Sequence, residues 1–96
     1  LGLDHRSDLF SLGGVLYRLC TGRLPFAGDT TMALLTALAV DEPTPVRQLN
    51  PGVPEPLANL VHRLLAKDPT HRPPTAKAVA DELNLLFTSW QTQQQM

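Results

Sequence analysis

Ninety-six residues make one small domain at most, and a chain of this size folding alone hides only about two-thirds of its unfolded surface. Hydrophobic residues at 43% against 18% charged give a globular balance, but five aromatics leave few large anchors, so a larger body is expected to complete the packing. Eight Lys plus Arg against nine Asp plus Glu give a net charge of -1, which supplies no positive field for phosphate backbones or anionic lipid and argues against nucleic acid and a membrane surface as partners.

The chain opens at Leu1 without an initiator Met and without the charged and apolar regions of a signal peptide, which reads as a piece of a longer protein. A first helix is expected from Ser7, a plausible N-cap, to Thr21, with Asp8 at the positive end of its dipole and Gly22 as its stop. Leu9, Phe10, Leu12, Val15, Leu16, Tyr17, Leu19 and Cys20 cover nearly its whole circumference, the pattern of a helix buried on all sides. Gly13 and Gly14 each cost about 1 kcal/mol of helix stability relative to Ala, which close packing against another segment would explain. The single cysteine, Cys20, can form no internal disulfide and no zinc motif, which fits a reducing, cytoplasmic setting.

A loop through Leu24, Pro25, Phe26 and Gly28 leads to a second helix expected over Thr30 to Val40, with Met32, Leu35 and Leu38 as apolar positions. The stretch from Asp41 to Pro56 holds Pro43, Pro45, Pro51, Pro54 and Pro56 and the turn signal Asn50-Pro51-Gly52, so an irregular connector is expected, tied down by Val46 and Leu49. Leu57, Leu60, Val61, Leu64 and Leu65 then recur at helical spacing and predict a third, amphipathic helix over Glu55 to Lys67. Asp68 and Pro69 break it, and Thr75 can cap a fourth helix over Ala76 to Phe87 with Val79, Leu83, Leu86 and Phe87 on its inner face. Residues 88–96, rich in glutamine, read as a flexible polar tail. No apolar run approaches the ~18 residues a bilayer span needs, so this segment offers no membrane contact.

The order of these segments resembles a known family. Asp4 to Phe26, DHRSDLFSLGGVLYRLCTGRLPF, resembles the central helix of the large lobe of protein kinases, most closely the bacterial serine/threonine class. Leu64 to Leu83, LLAKDPTHRPPTAKAVADEL, resembles the segment joining the last two helices of that lobe, with Asp68, Pro69, Arg72 and Pro73 at the family's spacing. Two ordered motifs at the right separation are far more specific than either alone.

The resemblance implies an all-α fragment of about four helices over residues 1–87, the C-terminal half of the large lobe of the protein-kinase-like fold. It implies a protein that transfers the γ-phosphoryl of ATP, with magnesium, to Ser or Thr hydroxyls of protein substrates. The upstream part of the same kinase domain is then the chain's main partner. The family gives Asp8 the task of holding the catalytic loop through charge-assisted bonds to its backbone N–H groups, gives Gly13 a place in the helix motif, and pairs Arg72 with the glutamate that closes the activation segment. These three would support an active site built elsewhere. Taken without the motif, Asp8 is an ordinary first-turn acid and Arg72 a solvated loop arginine.

No catalytic, cofactor-binding or metal-binding residue is expected within the chain itself, so it should bind neither ATP nor magnesium. The glycine-rich loop, strand lysine, catalytic aspartate with its asparagine, and metal-binding Asp-Phe-Gly are all missing. His5-Arg6-Ser7-Asp8 imitates the catalytic loop, but a serine interrupts it and Gly13 stands where the asparagine belongs. Gly22 and Gly28 bracket a loop at the wrong spacing for a phosphate cradle, and Asp29 stands where a lysine is needed. His5, His62 and His71 have no metal-ligand spacing; Tyr17 reads as core and Trp90 as tail. Two alternatives stay open: a pseudokinase, and a stand-alone helical module for protein interaction.

Overall fold

The computed structural model describes residues 5–95, with the side chains of 5, 6, 90 and 92–95 left aside. Asp4, where the first motif begins, and the side chains of His5 and Trp90 therefore lie outside the described residues. The order is α1 (His5–Thr21), α2 (Thr31–Val40), α3 (Val46–Leu49), α4 (Glu55–Leu64), a 3₁₀ turn (Pro69–His71) and α5 (Ala76–Gln95), with no strand among the described residues.

Local chemistry accounts for most boundaries. α1 stops at Gly22, whose φ of 75° is the left-handed conformation that glycine tolerates, and whose N–H donates to the Arg18 carbonyl at 2.8 Å. Thr30 caps α2 by accepting the Ala33 N–H at 3.0 Å, and Thr75 accepts the Ala78 N–H at the start of α5, also at 3.0 Å. Gly28 sits where a Cβ would run into the backbone of Ala33 and Leu34, so the turn lies flat on the first turn of α2.

Three boundaries differ from expectation. The proline-rich connector contains a short helix, α3, making five helices rather than four. α4 ends at Leu64 instead of Lys67: its last turn tightens, Ala66 N–H bonding to the Arg63 carbonyl at 3.2 Å, and the carbonyls of Ala66 and Lys67 turn to the Arg72 side chain. α5 runs on to Gln95 past Phe87, because Ser, Thr and Gln carry no breaker that would stop it. Phe87 lies 55% exposed rather than on the inner face, on the rim of an apolar groove of about 430 Å³ with Pro54, Pro56, Leu57, Leu83 and Leu86.

The core is a single seam between α1 and α4. Leu9, Leu60, Leu64 and Val79 close it at one end; Tyr17, Phe26, Ala37, Val46, Val61 and Leu65 fill the other. Gly13 lets the helices meet: a Cβ there would stand 2.7 Å from the Leu64 Cβ, closer than carbon atoms pack. Gly14 has nothing within 4 Å, so close packing explains the first glycine and not the second.

α1 is not surrounded on all sides as its sequence pattern suggests. Leu9, Gly13 and Tyr17 are buried, but Val15 and Leu19 on the far side are 57% and 77% exposed. The remaining elements lie on one side of it, and the molecule is a slab of 49 × 31 × 16 Å. Its radius of gyration is 14.4 Å, above the roughly 12.5 Å of a compact domain of this length. No described helix is long and apolar enough to cross a membrane.

Candidate functional site

The site forms where the first turns of α1, the end of α2 and the segment after α4 converge. Asp68 shapes that segment: its carboxylate accepts the Thr70 N–H at 2.9 Å and the Thr70 hydroxyl at 2.8 Å, which caps the 3₁₀ turn and sets the direction in which Arg72 leaves it. The same backbone bond, with help from the hydroxyl, holds the Asp68 carboxyl below its ordinary pKa, so the cap is an acceptor at neutral pH.

Arg72 is half-buried rather than solvated, which corrects the reading of it as a loop arginine. Its Nε donates to the Ala66 carbonyl at 2.7 Å, a terminal nitrogen lies 3.4 Å from the Lys67 carbonyl, and the guanidinium sits 4.8 Å over the Phe10 ring. Phe10 stacks on Phe26 with centroids 6.0 Å apart and planes 14° from parallel. Lys67 lies over Phe26, its Nζ 4.5 Å from the ring centroid and donating to the Leu38 carbonyl at 3.0 Å. The result is a cluster of two stacked rings, each with a cation over it.

The cluster borders, through Phe10, Lys67 and Arg72, a cavity of about 460 Å³ lined also by Ser7, Ser11, Leu38 and Ala39. Among the described residues that line it are two cations and two hydroxyl groups, a donor set that suits a carboxylate or similar anion. The planar Arg72 fork supplies directional bonds and Lys67 a point charge.

Of the three site residues expected from sequence, Arg72 lines this cavity, Gly13 lies 2.7 Å from Leu64 by its would-be Cβ at the α1–α4 contact, and Asp8 is on the exposed side of the first turn of α1. The structure does not bring Asp8 and Arg72 together, and among the described residues Asp8 has no hydrogen-bond or ion-pair partner. Phe10, Phe26 and Lys67 were missed. Scarcity was the available signal, since three of only five aromatics, Phe10, Tyr17 and Phe26, fall in this one motif.

Elsewhere, His71 is exposed beside Asp68, with 3.9 Å between Nε2 and Oδ2. Burial pushes the Cys20 thiol above its ordinary pKa, which makes it a poor nucleophile.

No protein-family model matches the chain. Individual proteins do. Serine/threonine-protein kinase PksC of Streptomyces coelicolor is 40% identical over 90 residues, 94% of this chain and 16% of its own length. The DNA damage-responsive serine/threonine-protein kinase RqkA of Deinococcus radiodurans is 46% identical over 80 residues, 82% of this chain and 12% of its length. Tyrosine-protein kinase MasK of Myxococcus xanthus is 41% identical over 86 residues, 90% of this chain and 13% of its length. The chain thus spans about one-sixth or less of the relatives it matches.

Proposed function

The chain belongs to the bacterial serine/threonine protein kinases, and from that premise we infer that it builds the C-terminal half of the large helical lobe of an enzyme transferring the γ-phosphoryl of ATP to protein hydroxyls. The observation that carries this reading is the cation-lined cavity at the start of α1, which Arg72 and Lys67 border. An incoming carboxylate from the activation segment completes it, bonding the Arg72 fork while the carbonyls of Ala66 and Lys67 keep the guanidinium aimed. The exposed Val15 and Leu19 give the upstream part of the lobe an apolar face to cover. Asp8, on the first turn of the same helix, holds the catalytic loop, and Gly13 fixes how that helix sits on α4.

Two features support placing the ATP site outside this chain. Gly28, half of the one glycine pair that could imitate a phosphate cradle, is packed against the backbone of Ala33 and Leu34, and Asp29 beside it is an anion. Mg-ATP is therefore held by residues outside this chain, and the chain alone transfers no phosphoryl group. Its part is to keep in place the loops that orient the acceptor hydroxyl, so that nucleophile and phosphoryl group meet in line.

The test uses the intact protein, labelled with radioactive ATP. Arg72→Ala should leave the incoming carboxylate unpaired, lower stability by about 3–5 kcal/mol and reduce transfer, whereas Arg72→Lys keeps the charge and part of the function. Undiminished labelling and stability of Arg72→Ala would remove the reading of the cavity. Phosphoamino-acid analysis of the wild-type product should give phosphoserine and phosphothreonine. Phosphotyrosine instead would align the acceptor with the name that the MasK relative carries.

A further inference from the structure

α3 begins at Val46, and its N-cap is Pro45, which makes no side-chain cap bond. The Val46 N–H therefore needs an acceptor from elsewhere, and Val46 is fully buried, out of reach of water. The acceptor is an imidazole on the next long helix: His62 Nε2 lies 3.0 Å from the Val46 nitrogen. A ring nitrogen accepts only when it carries no proton, so the bond requires neutral His62 with its proton on Nδ1. The ring stands edge-on to Tyr17, with centroids 6.2 Å apart and planes at 86°.

Tyr17 grips the same stretch from α1, its hydroxyl donating to the Thr44 carbonyl at 2.6 Å, and the Asn50 amide donates to the Cys20 carbonyl at 2.9 Å. The segment between α2 and α4 is thus held by three side-chain bonds to the long helices. Only the one to His62 involves a group that titrates near neutrality.

We propose that His62 is a proton-operated latch: neutral, it accepts the Val46 N–H and seats α3 on α4; protonated at Nε2, it turns two donors toward each other and releases segment 41–54 from the α1–α4 face.

The surroundings set the direction of the response. Burial of the ring lowers the His62 pKa from its ordinary 6.5, and Glu42 in the connector opposes this more weakly. Arg47 of α3 and Glu55 of α4 line the shallow cavity beside it as an exposed pair 3.8 Å apart, carrying opposite charges. From α1 comes Tyr17, whose phenol stays neutral because burial raises its pKa, Arg23 opposing. Because the folded pKa lies below the unfolded one, the stability from this bond is present above pH 6.5 and lost as pH falls through the folded value. The latch closes at neutral pH and opens in acid. This inference does not rest on the kinase reading.

Hydrogen–deuterium exchange of the intact protein tests it. After correction for intrinsic rates, peptides covering 44–54 should open about five- to tenfold more readily at pH 5 than at pH 7.5, the change expected for one lost hydrogen bond. His62→Gln, whose amide oxygen accepts without titrating, should abolish the difference. A wild-type protein with pH-independent exchange there, or a Gln variant that keeps the dependence, overturns the latch. A second measurement needs no variant: with 15N-labelled histidine, His62 at pH 7.5 must show the Nδ1–H tautomer, and the Nε2–H form would equally overturn the proposal.

Discussion

α2 and α4 are each ten residues long, yet α4 buries Ala58, Leu60, Val61 and Leu64 while α2 buries Ala37. α2 is the more apolar of the two; TMALLTALAV contains no charge at all, and still Met32, Leu35 and Val40 are 70%, 54% and 66% exposed. α4 carries Glu55, His62 and Arg63 and is nonetheless the centre of the core. The difference lies in arrangement and partner. Apolar residues of α4 repeat on one face, and that face meets a glycine-notched helix. Those of α2 point all round, and among the described residues only one side of it finds a neighbour.

The contrast can be broken by paired truncations. Leu64→Ala removes a fully buried side chain from the α1–α4 seam and should cost about 2–5 kcal/mol, the range for such cavities. Leu35→Ala, at an exposed site on α2, should change stability by less than ~0.5 kcal/mol. Urea midpoints measure both, and equal losses would mean that α2 is as much a core element as α4.

A smaller effect sharpens the same comparison at the contact itself. At Gly13 an added methyl meets the Leu64 Cβ at 2.7 Å; overpacking of about 1–3 kcal/mol is partly offset by a helix-propensity gain of ~1. Gly13→Ala should therefore lose about 1 kcal/mol. Gly14→Ala meets nothing within 4 Å and should gain up to ~1 kcal/mol from propensity alone. Opposite signs at adjacent positions are the expected result, and matching signs would mean the helices do not touch where Gly13 places them.

Much of this was legible in the sequence because the deciding interactions are local. Gly22 and Thr75 mark their helix ends through bonds to residues within four positions, and the stripe of α4 is a matter of period. What was not legible depends on residues far apart. α3 hides among prolines because its first N–H is capped sixteen positions away by His62, and the carbonyls of Ala66 and Lys67, past the end of α4, are taken by the side chain of Arg72. Phe10, Phe26 and Lys67 each read as ordinary helix or loop residues, and only their stacking reveals a cavity wall. The encirclement of α1 read from its apolar pattern fails within this chain at Val15 and Leu19. That pattern answers to a body larger than the described residues.

The smallest effect separates the buried seam from the face meant for other parts of the lobe. Asp8 is exposed on the first turn of α1, where its only evident local benefit is a carboxylate near the positive end of the helix dipole. Asp8→Ala in the 96-residue chain should thus change the urea midpoint by an amount equivalent to less than ~0.5 kcal/mol. In the intact protein the same carboxylate is proposed to hold the catalytic loop, a task that bears on orientation of the acceptor hydroxyl rather than on nucleotide binding. There the variant should lower turnover far more than it raises the KM for ATP. A midpoint shift of the same size in both contexts, with turnover intact, would mean that Asp8 is a first-turn helix acid and that the catalytic loop is held by another residue.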